Sequence, residues 1–323
     1  MENVGLVKFD FLGLTTLSIL AKCKEYIDKL YPEREFELER IPVTDEETYR
    51  CFQNANTAAV FQFESEGMRQ LLRQARPDRL EDLVALNALY RPGPMDLIPS
   101  FIARKFGREK VEYLDERMAP VLSETYGIMV YQEQVMRVAQ VVGGYSLGGA
   151  DLLRRAMGKK NVEEMKRQRA VFVKGAGERG VKASVATEIF NLMEKFAGYG
   201  FNKSHAAAYS YVAYQTAYLK THFTSCFMAA NLCMVMDQGD KMKALLDDAR
   251  ANGIEIFEYK PLKFPWVHAV FNRDHRKIVV IDGQIAYTGG MNVADYYIKG
   301  TKVVGEWHDM HCRIDGSEVN TLQ

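Results

Sequence analysis

Gly148-Gly-Ala-Asp-Leu-Leu-Arg-Arg-Ala-Met-Gly-Lys-Lys160 is the stretch on which the reading of this chain turns. Leu152 to Met157 fits a short helix with Arg154 and Arg155 side by side, and two guanidinium groups can offer forked donors to phosphate oxygens. The glycines at 148, 149 and 158 let backbone come close to a ligand. Taken alone, the stretch also fits an ordinary basic helix face with solvated charges.

Two further stretches point the same way. Tyr131-Gln-Glu-Gln134 opens a helical pattern, and Phe196-Ala-Gly-Tyr-Gly-Phe-Asn-Lys-Ser-His205 leads into another. Ser204 is the predicted N-cap of a helix starting at His205, which puts Asn202, Lys203 and Ser204 where a helix N-terminus favours anions. Charge is distributed accordingly. The chain is neutral overall, but the net charge is −5 from Met1 to Val130, +7 from Tyr131 to Phe223 and −2 beyond, so the middle third is the natural place for an anionic partner.

Around these stretches the apolar spacing is mostly helical. Helices are expected from Gly13 through Leu30, after a capping box at Thr44-x-x-Glu47, and over Glu64–Gln74, Leu80–Leu89, Met95–Phe106, Gln132–Val142, Val162–Gly175, Ser184–Phe196 and His205–His222. Arg91-Pro92-Gly93-Pro94 forces a break. Val4 to Phe11 alternates as a strand with Lys8 and Asp10 on one face. Beyond Ala251 the pattern turns extended, and Lys277 to Tyr287 reads as a hairpin turning on Asp282-Gly283, so a domain boundary is expected near residue 250.

A hydrophobic fraction of 47% with 26% charge excludes the disordered class and suits two ordinary domains. The five cysteines show no C-x-x-C spacing, which points to reduced thiols and not to a disulfide framework or thiolate zinc. No signal peptide or membrane span is legible, and a cytoplasmic location is expected.

Together these three stretches, with Phe61-Gln-Phe-Glu-Ser-Glu-Gly-Met68 and Ala88-Leu-Tyr-Arg-Pro-Gly-Pro-Met95, resemble the C-family DNA polymerases, the bacterial DNA polymerase III alpha subunits, from about Val4 to about residue 248. The resemblance implies template-directed deoxynucleotidyl transfer with primer–template DNA, a deoxynucleoside triphosphate and Mg2+. It makes Asp10 a catalytic palm carboxylate and metal ligand with Lys8 beside it, and it places Arg154, Arg155, Lys203 and His205 against the incoming triphosphate. The palm's two other carboxylates belong to a motif upstream of the family's counterpart of Asp10, so the chain alone is expected to be inactive, because one carboxylate cannot hold two metal ions. Other replicase subunits are not expected as partners.

His275-Arg-Lys-Ile-Val-Val-Ile-Asp282 has the form H-x-K-x4-D and is followed by Gly289-Gly290-Met291-Asn292. On a strand His275 and Lys277 point the same way, so an imidazole could attack phosphorus while the ammonium holds its oxygens. Asp282 would support the site and Asn292 donate to the phosphate. This pattern resembles the phospholipase D superfamily, and Trp307-His-Asp-Met-His-Cys-Arg-Ile-Asp-Gly316 narrows it to the cardiolipin synthases. That likeness implies a phosphohistidine mechanism without metal, a phospholipid as substrate, and a homodimer through the C-terminal segment to complete a single-motif site.

The expected fold is therefore mainly α, helical polymerase fingers with a remnant palm strand, followed by a small α/β fragment of phospholipase-D type. Its divisions are a partial palm over 1–40, fingers over 41–248 and the phospholipase D-like part over 249–323, joined within 242–256 as a recombination product, a deliberate chimera or a misjoined reading frame. A non-catalytic module that binds DNA through the basic middle third is the remaining alternative.

Overall fold

The computed structural model describes residues 13–159, 162–197, 199–235 and 238–256, together with three short strands further on. The chain divides into two compact units, 1–255 and 256–323. The expected strand at Val4 to Phe11 lies outside the described residues.

The first unit is helical because apolar residues recur at helical spacing in stretches punctuated by caps, glycines and prolines. Thr15–Leu30 forms α1, Glu46–Gln53 α2, Glu66–Ala75 α3, Leu80–Leu89 α4 and Ile98–Lys105 α5. Asp45, and not the Thr44 of the expected capping box, starts α2: its carboxylate accepts the Thr48 amide at 2.8 Å. Ser65 caps α3. The break at Arg91-Pro-Gly-Pro94 is present, with Gly93 at φ +101° and a short 3-10 turn over Pro94–Leu97 before α5. A Cβ at Gly93 would meet the Tyr199 ring at 2.5 Å, so this position requires glycine on two counts.

The short α6 (Ala119–Leu122) leads to α7 (Gln132–Val141), α8 (Leu147–Lys159), α9 (Val162–Glu178) and α10 (Ala183–Ala197). α8 begins five residues earlier than Leu152. Ser146 Oγ accepts the Gly149 amide at 3.1 Å and its carbonyl accepts Ala150 at 2.9 Å, which offsets the helix-weakening glycines. Then come α11 (Lys203–His222), α12 (Thr224–Met234) and α13 (Gly239–Ala251).

These helices enclose two cores. One gathers Phe52, Phe63, Leu72, Leu83, Phe101 and Tyr214 from α2 to α5 and α11. The other gathers Val138, Leu153, Phe172, Ile189, Phe190 and Met193 from α7 to α10. Leu97 packs against both. α1 lies along α12, burying Leu20, Cys23 and Ile27, and α13 packs on α12. Lys220 of α11 is 1% exposed and donates to Asp248 of α13 at 2.8 Å and to the Ala58 carbonyl at 2.9 Å. Removing either partner would leave a buried ammonium uncompensated.

In the second unit, β1 (Lys277–Ile281), β2 (Ile285–Gly289) and β3 (His311–Asp315) form an antiparallel sheet in the order β1-β2-β3. The expected hairpin is present: Ile281 faces Ile285, so Asp282 and Gly283 fall between the two strands. β3 pairs with β2 from Ile285↔Asp315 to Gly289↔His311. No helix among the described residues is long and apolar enough to cross a membrane. Cys23, Cys51, Cys226 and Cys233 are unbonded thiols.

Asp45 also receives His222 Nε2 at 2.9 Å. Burial pulls the Asp45 carboxyl up, but hydrogen bonds from Thr48 and His222 outweigh it and leave the group below its ordinary range. A depressed folded-state pKa contributes stability that is present above the ordinary carboxylate value and is lost as pH falls through the folded one. Urea unfolding should show Asp45→Ala less stable by about 1–2 kcal/mol at neutral pH, with the difference from the wild-type chain narrowing below roughly pH 4.

Candidate functional site

The three stretches that set the sequence reading meet at one junction. Tyr131 and Phe201 form a parallel backbone bridge, in which Gln132 N donates to Phe201 O at 2.9 Å and Phe201 N to Val130 O at 3.3 Å. Gln132 Nε2 donates to the Gly200 carbonyl at 2.9 Å, and its Oε1 accepts Arg154 Nη1 at 3.1 Å. One amide thus ties 131–134 to both 148–160 and 196–205. A Cβ on Gly200 would lie 3.1 Å from Gln132 Cγ, so a larger residue there would press on the Gln132 side chain.

Glu133 completes the start of α11. Its carboxylate accepts Asn202 Nδ2 at 2.8 Å and the Lys203 amide at 2.9 Å. Asn202, and not Ser204, is the N-cap, since its Oδ1 accepts the His205 amide at 2.8 Å and the helix begins at Lys203. The anion expected at this helix N-terminus is therefore supplied by the chain itself.

Each basic residue of interest faces a carboxylate or an aromatic ring. Asp151 Oδ1 accepts Arg154 Nε at 3.0 Å and Nη2 at 2.8 Å, and Arg155 Nε lies 2.8 Å from Asp151 Oδ2. The Arg154 guanidinium holds the Asp151 carboxyl below the usual carboxylate range. Lys203 Nζ donates to both Glu124 oxygens, at 2.8 and 2.7 Å, and sits 5.5 Å from the centroid of the buried Tyr131 ring.

His205 belongs to a neighbouring cleft of about 380 Å3, lined also by Gln62, Ser65, Asn87, Arg91, Phe201 and Tyr209. Its ring lies 4.1 Å from that of Tyr209 and 5.5 Å from that of Phe201. Arg91 lies over the Phe201 ring, 4.3 Å from its centroid, and donates to the Tyr199 carbonyl at 2.9 Å. Arg154, Arg155 and Lys203 do not line this cleft, so the four residues assigned to one triphosphate fall into two neighbouring groups.

Asp10, Lys8, His275, Asp282 and Asn292 lie outside the described residues. Lys277 opens β1, and its side chain lies outside them as well. Among the described residues no group of three or more His, Cys, Asp and Glu side chains could hold a metal ion. Glu124, Gln132, Glu133, Asp151 and Arg91 have no role in the sequence reading, although all but Glu124 stand within its motifs.

Gln134, 3% exposed, anchors the junction from beneath: its Oε1 accepts the Val130 amide at 2.7 Å and the Tyr131 amide at 3.0 Å, while Nε2 donates to Thr125 Oγ1 at 2.9 Å. Gln134→Leu strands two buried amides and should cost about 2–4 kcal/mol in chemical denaturation. Gln132→Ala, at a half-buried position, should cost about 1 kcal/mol and leave the fold intact by circular dichroism.

Residues 16–180 match the family described as the bacterial DNA polymerase III alpha subunit finger domain. The chain is similar to the DNA polymerase III subunit alpha of Xylella fastidiosa (strain Temecula1), 57% identical over 260 residues, covering 79% of this chain and 22% of that protein. It is similar to the same subunit of Escherichia coli K12, at 50% over 266 residues, covering 79% and 23%. For Pseudomonas aeruginosa PAO1 the match is 46% over 332 residues, covering 100% of this chain and 27% of that protein. The chain thus spans about a quarter of the length of these relatives. By its finger domain, it belongs to the bacterial DNA polymerase III alpha subunits.

Proposed function

We propose that the helical unit is the part of a template-directed DNA polymerase that meets the incoming deoxynucleoside triphosphate and the template. The observation that carries this reading is the junction at Gln132, which brings Arg154 and the approach to α11 together in a finger-family chain. Arg154, Arg155 and Lys203 would hold phosphate oxygens, and the exposed His205 on its aromatic neighbours would face the nucleotide's base or sugar. On this reading 1–40 is palm and 41–248 fingers, with Lys8 and Asp10 at the edge of the reaction centre and a cytoplasmic setting that suits the free thiols. Mg2+ is the family's metal. The described residues gather no group to hold it, so the reading rests on the anion-binding side chains.

Primer–template DNA titrated into the whole chain at two salt concentrations should bind with marked salt dependence, and changing Arg154 and Arg155 together to alanine should weaken binding and flatten the salt slope by about 1–2. Salt-insensitive binding, or binding equal in the double variant, would remove Arg154 and Arg155 from the interface.

A second reading attaches to residues 249–323 as a phospholipase D-type phosphatidyltransferase part acting on phospholipid as a homodimer. It is favoured by the H-x-K-x4-D motif running through β1, with Gly289 closing β2. The relatives above lend it no support, and the Pseudomonas match runs over the same residues. Metal-independent phosphodiesterase turnover by the wild-type chain, abolished in His275→Ala, is the outcome this reading expects; absence of turnover on both lipid and nucleic-acid phosphodiesters would end it.

A further inference from the structure

The two arginines that a phosphate would need already share an anion. Asp151 presents both oxygens, Oδ1 to two nitrogens of Arg154 and Oδ2 to Arg155, one turn along the same helix face. A carboxylate bridging two guanidinium groups occupies the place that two oxygens of a phosphate would take. The group is accessible: Asp151 is 29% exposed, Arg154 31% and Arg155 64%. Ion pairs at such exposure hold weakly, so an anion of higher charge can replace the carboxylate at small cost. The third nitrogen of Arg154 is bound elsewhere, by Gln132 Oε1 at 3.1 Å, and this contact keeps the fork aimed when Asp151 leaves it.

We propose that Asp151 is a specificity-determining competitor, an internal anion that holds Arg154 and Arg155 until a polyphosphate displaces it and that keeps singly charged anions off the pair. The proposal rests on the reading of Arg154 and Arg155 as phosphate-binding. A monoanion brings no more charge than Asp151 and must also give up its own freedom on binding, so it loses to the tethered carboxylate. A triphosphate brings several charges and several oxygens, and it wins.

The probe is inorganic tripolyphosphate, titrated calorimetrically into the full chain beside Asp151→Asn and the Arg154→Ala/Arg155→Ala double variant. Asp151→Asn keeps the shape and removes the charge, and it should bind about tenfold more tightly than the wild-type chain. It should also gain measurable affinity for acetate, which the wild-type chain lacks. Binding that is unchanged or weaker in Asp151→Asn, yet lost in the double variant, overturns the competitor role and leaves the phosphate reading standing. Equal affinity in all three chains, or none in any, overturns both. Should Asp151→Asn fail to fold, carbon-detected NMR of the wild-type chain decides. The Asp151 carboxyl signal and the Arg154 and Arg155 Nε signals should shift together on tripolyphosphate addition, and a carboxyl signal that stays put refutes the displacement.

Discussion

The pairing of residues 130–132 with 200–201 is the constraint on which the helical unit depends. Tyr131 belongs to the core built on α2 to α5 and α11, whereas Val135 and Val138, one and two turns further along α7, belong to the core built on α7 to α10. Two backbone hydrogen bonds and the Gln132 amide therefore fix the seam between the cores. Backbone groups in that seam must be satisfied by protein where water does not reach them, which explains a polar Gln-Glu-Gln run at the start of α7. Its three residues act separately. Gln132 links the stretches, Glu133 neutralises the start of α11, and Gln134 satisfies the amides of Val130 and Tyr131.

A second polar network supports the same place from the other side. Asp82, 1% exposed, accepts Arg79 Nε at 3.2 Å and the Tyr126 hydroxyl at 3.1 Å and pairs with Lys105. Burial pushes the Tyr126 phenol up to about 12, so it remains a donor at any physiological pH. Arg79 extends from this cluster to donate to the Glu124 carbonyl at 3.0 Å. Glu124 is thus held by its backbone while its side chain faces Lys203. The position of a surface ammonium is in this way set by a buried carboxylate three side chains away.

Periodicity makes most of the helical unit legible, since α4 has the predicted bounds and α7, α9 and α10 start within one residue of theirs. It fails where the solvent-facing side carries no charge. α12 buries Cys226, Phe227, Met228, Ala230 and Asn231 and exposes the small residues Ser225, Ala229 and Cys233, so apolar spacing does not reveal it. The caps differ from the predicted ones by one or two residues because Thr44, Asp45, Asn202 and Ser204 are all competent acceptors, and tertiary partners decide among them. Tyr214 and His222 contact Asp45, and Glu133 holds Asn202. Family resemblance locates the cations, but their carboxylate partners are invisible to it. Lys203 meets Glu124 across 79 residues of sequence, and no spacing rule pairs them.

Exposure separates the ion pairs that build this fold from those that can change partners. Lys220 with Asp248, at 1% and 12% exposed, and Lys105 with Asp82, at 6% and 1%, are desolvated on both sides, and breaking either would leave a charge in a medium that cannot solvate it. Lys203 with Glu124, at 40% and 30%, and Arg154 and Arg155 with Asp151 retain water on both partners. Water can take up a released carboxylate there, so exchange costs little more than the weak attraction itself. The cations are consequently held in a defined geometry without being committed to it. A region carrying a net charge of +7 can in this way remain folded, with its exposed cations paired locally and not committed to one partner.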